Sequence, residues 1–133
     1  MYLLDTCVIS EARRRSPEAV RWLRSVNPDA VFLSVITVGE TMKGIVMKAR
    51  TDPVAAVSLQ RWLDALRLVY ADRLLPIDNA VATAWGRLIT ERTRGVPDAL
   101  IAATARVHNK IVVTRHVVDF VDAGVEVVNP WAG

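Results

Sequence analysis

The stretch YLLDTCVIS, residues 2–10, decides the fold of this chain. Its first three residues form an apolar run typical of a short buried strand, which Asp5 ends before a helical turn. Four other short apolar runs also indicate strands, at residues 30–33, 74–77, 111–114 and 126–128. Each run is too short for its periodicity to separate strand from helix, so the segments between the runs decide the assignment.

Amphipathic helices separate most of these strands. Apolar side chains recur at helical spacing in four segments: Ala19, Leu23 and Val26; Val35, Val38, Met42 and Ile45; Leu59, Leu63, Leu66 and Tyr70; Val81, Trp85 and Leu88. Ser16 and Asp52, each followed by proline, are typical of helix starts. Asp78 caps a further helix, which Gly95 is predicted to close. Alternating strands and helices predict an α/β fold with a mostly parallel sheet covered on both faces.

The composition favours a single cytoplasmic domain. With 133 residues, of which 52% are hydrophobic, residues 1–133 can form one domain with a sizeable core. The only cysteine, Cys7, cannot form an intrachain disulfide, which favours a reducing compartment. No stretch reaches about 18 uninterrupted apolar residues, and the apolar start meets Asp5 at once, so we expect neither a membrane span nor a secretory signal.

The charge balance indicates a polyanionic partner. There are 17 Lys and Arg residues against 14 Asp and Glu residues, a formal charge of +3. Four of the acids are candidates for one pocket, and without their four negative charges the remaining surface carries +7. A surface of that charge is suited to nucleic acid.

The four acids lie where an α/β fold can gather them, although each also has an ordinary structural explanation. Asp5 ends a strand and would also cap a helix, and Glu40 interrupts an apolar helix but could pair with Lys43. Asp98 lies at a helix start, where negative charge is favoured, and Asp119 follows a strand as a turn acid. Ligands of such sheets bind beyond the carboxyl ends of the strands, so we expect the four to share one crevice.

A crevice of carboxylates predicts a divalent metal site. Hard cations such as Mg²⁺ prefer oxygen ligands, and they commonly bridge one or two carboxylates to substrate phosphate. Without a cation the carboxylates repel one another, which raises one or more of their pKa values. A cation removes that repulsion and stabilises charge on a phosphoryl group during hydrolysis.

Motifs along essentially the whole chain resemble PIN-domain proteins, and most closely the VapC-type toxins of bacterial toxin–antitoxin modules. They are LLDTCVIS at 3–10, LSVITVGE at 33–40, PDALIAATA at 97–105, VTR at 113–115 with DF at 119–120, and NPW at 129–131. The chain departs from the family at Cys7, where Asn or Ser is frequent, and at His116, where Asn is common. Neither departure replaces an acid.

The resemblance implies a PIN-like three-layer α/β/α sandwich with about five short strands. It also implies an Mg²⁺- or Mn²⁺-dependent ribonuclease, the toxin of a type II toxin–antitoxin system, that leaves a 5′-phosphate and a 3′-hydroxyl. Asp5 and Asp98 are then the leading metal ligands, and Glu40 is a ligand or orients the attacking water. Asp119 is an outer ligand or contacts a second metal. A homodimer and a cognate antitoxin that covers the pocket are the expected partners.

For the residues around the acids, the sequence leaves more than one role open. Thr6 and Thr114 offer hydroxyl groups to the site, although simple helix capping explains them equally well. Candidate contacts to RNA phosphates, which a solvated basic surface would explain equally well, are Arg13, Arg14, Arg15, Lys43, Arg92, Arg94, Arg115 and His116. For Trp22, Trp62, Trp85 and Trp131 we expect packing in the core or a dimer interface rather than stacking on bases.

Three rival functions fit parts of the sequence. A phosphatase that forms an aspartyl phosphate would also place an acid at Asp5, but such sites resemble Asp-x-Asp and this chain has Cys7 instead. Cys7 as a nucleophile is disfavoured because burial in an apolar run raises a thiol pKa. A catalytically inactive RNA-binding or partner-binding domain of the same fold is the non-enzymatic alternative, although such a binder gains nothing from four acids that face phosphate.

Overall fold

A parallel five-stranded sheet forms the centre of the computed structural model, which describes residues 1–132. The strands are β1 Tyr2–Leu4, β2 Val31–Ser34, β3 Leu74–Leu75, β4 Ile111–Val113 and β5 Val127–Val128. Their order is β3-β2-β1-β4-β5, and every neighbouring pair is parallel. The predicted number and location of the strands are confirmed, and the sheet is wholly rather than mostly parallel.

Six helices connect the strands: α1 Thr6–Arg13, α2 Pro17–Ser25, α3 Val35–Ala49, α4 Pro53–Val69, α5 Asn79–Leu88 and α6 Val96–His108, with 3₁₀ turns at Pro28–Ala30 and Val117–Phe120. Asp52 and Asp78 cap α4 and α5 with their side chains, as predicted. Among residues 1–132, none of the helices has the length and apolar character needed to cross a membrane.

The prediction that Gly95 closes α5 is wrong. Helix α5 ends at Leu88, and Gly95 is instead the N-cap of α6, with φ −59° and ψ 142°. A glycine that ends a helix usually adopts a left-handed conformation, which this negative φ excludes. Pro97 in the next turn, whose ring presets φ, favours a helix start at this point.

Apolar layers cover both faces of the sheet. Leu4 and Val113 point to one face and pack in a cluster with Val8, Ile45 and Leu63 from α1, α3 and α4. The strand residues next to them, Leu3 and Val112, point to the other face and pack against α6. Adjacent strand residues alternate between faces, so these two clusters join the sheet to the helical layers on its two faces, as in the predicted α/β/α sandwich.

The sheet order places a crevice above its central strands. Strand β1 lies between β2 and β4, so the chain leaves it in one direction and later returns on the other side. Such a switch point opens a crevice at the carboxyl ends of the strands. Asp5 follows β1 directly, and its N–H donates to the carbonyl oxygen of Val113, the last residue of β4, at 2.9 Å.

Candidate active site

Asp5 lies at the floor of this crevice with its carboxylate held by three donors. Its Oδ1 accepts from the Thr6 N–H at 2.8 Å, as the N-cap of α1. Its Oδ2 accepts from the Thr114 hydroxyl at 2.8 Å and from the Cys7 thiol at 3.4 Å. Only 4% of Asp5 is exposed, so these bonds fix a buried acid in one orientation. The capping role expected for Asp5 and a place in the crevice therefore coexist.

Glu40 reaches the same crevice from α3, the helix that follows β2. Its Oε1 accepts from the Thr6 hydroxyl at 2.6 Å, and the Thr6 hydroxyl lies 2.9 Å from that of Thr37. A hydroxyl has one proton to give, and Thr6 gives it to the carboxylate, so Thr37 donates to Thr6. The alternative pairing of Glu40 with Lys43 is absent from the ion pairs of residues 1–132.

Asp98 experiences the charge of all three other acids. It lies in the first turn of α6, half-buried, and the pKa of its carboxyl is raised from 3.8 to about 6. Burial is the largest cause of this rise, followed by the charges of Asp5, Asp119 and Glu40, whereas His116 lowers the pKa. The four predicted acids thus share one electrostatic environment.

Asp119 is carried by the 3₁₀ turn Val117–Phe120, which two arginines hold in place. Arg92 donates to the carbonyl oxygen of Val118 at 2.6 Å. Arg94 makes two bonds of 3.1 Å, one to the last carbonyl oxygen of α5 and one to the carbonyl just after the turn. Both side chains, considered in the sequence as phosphate contacts, therefore tie backbone segments around Asp98 and Asp119.

The acids do not form a closed metal cage. Across the described residues 1–132, no three His, Cys, Asp or Glu side chains are gathered tightly enough to hold a metal ion between them. Two of the acids turn carboxylate oxygens toward hydroxyl groups, Asp5 toward Thr114 and Glu40 toward Thr6. The arrangement is therefore an open acidic crevice.

The other basic candidates lie around this crevice with different partners. The Arg13 guanidinium is 5.9 Å from the ring centroid of Trp62, and that of Arg115 is 5.1 Å from the ring centroid of Trp131. Lys43 is exposed, one helical turn beyond Glu40. His116 is exposed, and its backbone N–H donates to the Thr114 hydroxyl at 2.9 Å.

Arg14 and Arg15 are the remaining basic candidates near α1. The Arg14 side chain is 68% exposed and lies 3.6 Å from the Glu11 carboxylate, an exposed pairing that contributes little stability. Arg15 follows with φ 63°, a left-handed conformation that turns the chain away from the end of α1. Arg14 therefore keeps its charge largely available to an external ligand.

Two residues of the hydrogen-bond network were not assigned a role from the sequence. Thr37 lies three residues before Glu40 on the same helix face, and this spacing indicates that the two side chains are neighbours. Cys7 donates to Asp5, and burial, followed by the charge of Asp5, raises the pKa of its thiol to about 11. The protonated thiol is a donor rather than a nucleophile, which agrees with the sequence argument against catalysis by Cys7.

Comparisons with known proteins point to one family. A family model described as the PIN domain matches residues 2–116. The chain is 36% identical over 138 residues to Toxin FitB of Neisseria gonorrhoeae, with 98% of this chain and 99% of that protein covered. It is 31% identical over 142 residues to VapC ribonuclease Y4jK of Sinorhizobium fredii, with 98% of each covered. The crystal structure of FitAcB from Neisseria gonorrhoeae matches with a TM-score of 0.91 at 34% identity, over 100% of both chains.

Proposed function

This chain belongs to the PIN-domain family, and from that membership we propose that it is an endoribonuclease that acts as the toxin of a type II toxin–antitoxin pair. The observation that carries the proposal is that Thr6 links Asp5 and Glu40 at the carboxyl end of β1, its N–H donating to Asp5 and its hydroxyl to Glu40. The raised pKa of Asp98, to which burial and the charges of Asp5, Asp119 and Glu40 contribute, agrees with this gathering of acids. Acids gathered at the carboxyl end of a parallel sheet suit phosphodiester hydrolysis with a divalent cation.

The donor set fits Mg²⁺ or Mn²⁺. All four acids offer oxygen, and Mg²⁺ keeps several waters while it takes only one or two carboxylates, so an open crevice suits it better than a closed cage would. We assign Asp5 and Asp98 as the leading ligands, with Glu40 and Asp119 as outer ligands. When bound, such a cation offsets the repulsion among the acids and stabilises the charge that develops on the phosphoryl oxygens.

The protein residues orient the reacting groups. The three donors to Asp5 keep its carboxylate in the crevice, and the Thr37–Thr6 relay holds one oxygen of Glu40. No hydrogen bond within residues 1–132 engages the other oxygen of Glu40. That oxygen is therefore free to orient the attacking water and to accept its proton.

The test is RNA cleavage by the purified protein. We expect cleavage with Mg²⁺ or Mn²⁺, loss of cleavage on adding EDTA, and recovery when the metal is restored. Asp5→Asn should reduce the rate by at least about 100-fold while circular dichroism shows a folded protein, because a ligand is weakened. Asp64→Asn, on the exposed face of α4, is the matched control. If cleavage survives both EDTA and Asp5→Asn, the RNase activity comes from a contaminant. That result would instead support a catalytically inactive binding domain.

Exposed apolar side chains are available for the proposed partners. Val54 and Leu68 on α4 are 81% and 80% exposed, and Met47 on α3 is 54% exposed. We assign such faces to contacts with an antitoxin or a second copy of the chain, because exposed apolar surface commonly marks protein interfaces. Co-expression with the cognate antitoxin should give a stable complex without RNase activity, and sedimentation should show a dimer of the free protein.

A further inference from the structure

A groove extends the acidic crevice along three helices. It is a cavity of about 430 Å³ that includes Thr6 and Glu40 at the crevice and continues between α1, α3 and α4. We define the basic groove by Arg13, Arg14, Gly44, Lys48 and Trp62, which line it together with those two residues. Glu40 is the only acid in this lining, and three cations lie beyond it.

Two of the walls start at a residue of the acidic crevice and end at a cation. On α3, Glu40, Gly44 and Lys48 are spaced four residues apart and therefore share one face. At about 1.5 Å per residue, Lys48 lies about 12 Å beyond Glu40 along the helix. On α1, Thr6 is followed on the same face by Ser10 and then by the cations at the end of the helix.

The third wall is an apolar face of α4. Ala55, Leu59 and Trp62 share that face, and all three line the groove. Trp62 is partly buried against the core, as expected from the sequence, but the rest of its ring faces the groove. Arg13 lies 5.9 Å from its centroid, so a cation and an aromatic ring adjoin there.

We infer that the basic groove binds a single RNA strand next to the bond that is cleaved, with phosphates on Arg13, Arg14 and Lys48 and a base against Trp62. The inference rests on the proposed ribonuclease function and specifies how that site holds its substrate. Four acids repel a polyanion, so affinity has to come from cations outside the acidic crevice. A basic track beside an aromatic ring is the usual means of binding single-stranded nucleic acid. An acidic chain such as polyglutamate would satisfy the cations but carries no ring to stack on Trp62.

Gly44 offers a test that does not remove any charge. A Cβ added at Gly44 would meet no atom within 4 Å, so a side chain there fits the fold and projects into the groove. Gly86 on α5 is equally open and does not line the groove. Because glycine is a poor helix former, Gly44→Gln and Gly86→Gln should each leave the Tm unchanged or higher. A loss of binding by Gly44→Gln at an unchanged or higher Tm therefore does not come from unfolding.

The experiment measures binding of a fluorescein-labelled single-stranded RNA by anisotropy, with Asp98→Asn as the background so that the RNA stays intact. We expect Gly44→Gln to raise Kd at least about 10-fold and Gly86→Gln to change it less than about twofold. Lys48→Ala and Arg14→Ala should each weaken binding and each lower the salt dependence by about 0.7 in log Kd per log salt. Arg24→Ala, on the exposed face of α2, is the control for loss of a charge elsewhere.

One outcome overturns the inference: Gly44→Gln and Lys48→Ala bind RNA like the background protein. If the same variants also lose affinity for poly-L-glutamate, the groove is a site for an acidic protein segment instead. Neither outcome concerns the acids, whose role is judged separately by cleavage with Asp5→Asn. Failure of the groove and failure of the ribonuclease proposal are thus distinguishable.

Discussion

Replacing Asp98 by Asn should change the pH dependence of stability in the metal-free protein. Burial and three neighbouring carboxylates raise the pKa of Asp98 from 3.8 to about 6. A carboxyl whose pKa is raised on folding binds its proton more tightly in the folded state. Its contribution to stability is therefore fully present below about pH 3.8 and is lost as the pH rises through about 6. The amide introduced by Asp98→Asn cannot ionise, so the variant should escape this loss.

The size of this stability difference follows from the size of the pKa shift. A change of the Asp98 pKa from 3.8 to about 6 corresponds to about 3 kcal/mol of stability if the charges act at full strength. Asp98 is only half-buried, and solvent screening reduces the value to about 1 kcal/mol. The Asp98→Asn variant should therefore gain about 1 kcal/mol relative to the wild type between pH 4 and pH 7.

Urea unfolding in EDTA, followed by circular dichroism at several pH values, measures this difference. Comparing variant and wild type at each pH cancels the titration of groups that both proteins share. Asp64→Asn is the control for introducing an amide on an exposed helix face. Millimolar Mg²⁺ should reduce the loss of wild-type stability above pH 4, because the cation binds the ionised carboxylate of the folded protein in competition with the proton. A variant-to-wild-type difference that stays constant from pH 4 to pH 7 would refute the shared electrostatic environment of the acids.

Three further predictions test the surroundings of the acids. Thr114→Val should lose about 2 kcal/mol of stability in urea unfolding, since a buried charged acceptor on Asp5 loses a donor, and Thr114→Ser should restore most of it. Arg94→Leu should lower kcat for RNA cleavage more than it raises KM, because the turn that carries Asp119 loses its tie to α5; an effect confined to KM would favour a phosphate contact instead. Cys7, with its thiol pKa raised from 9.0 to about 11, should react with iodoacetamide at pH 8 about 100-fold more slowly in the folded protein than in urea, as judged by mass spectrometry.

Most of the architecture could be predicted from local sequence patterns that have a single physical cause. The strand before Asp5 is apolar since both faces of the sheet are covered, and aspartates at helix starts are explained by the N–H groups that they cap. The prediction that Gly95 ends α5 was wrong because glycine is compatible with both ends of a helix. Only its backbone angles, which tertiary contacts set, decide between the two.

The immediate contacts of the site were harder to predict. Thr6 and Thr114 were candidates because they adjoin a strand end, and each donates to an acid. Arg92 and Arg94, by contrast, looked like phosphate contacts, because sequence shows a charge but not the distant carbonyl groups that engage it. The bonds from Arg92 to Val118 and from Arg94 to Val121 each span more than 20 residues of sequence, which no local pattern encodes.

In the described part of the chain, hydrogen bonds stabilise Asp5 and Glu40 but not Asp98, and this difference affects where a cation binds most favourably. Asp5 receives three donors and Glu40 one, all from neutral groups, so part of their charge is stabilised by the fold itself. No hydrogen bond or ion pair within residues 1–132 reaches the side chain of Asp98, which instead bears the repulsion of the others. A cation in the crevice therefore gains most of its electrostatic advantage at Asp98. Metal affinity should accordingly respond more to replacement of Asp98 than to removal of any one hydroxyl donor.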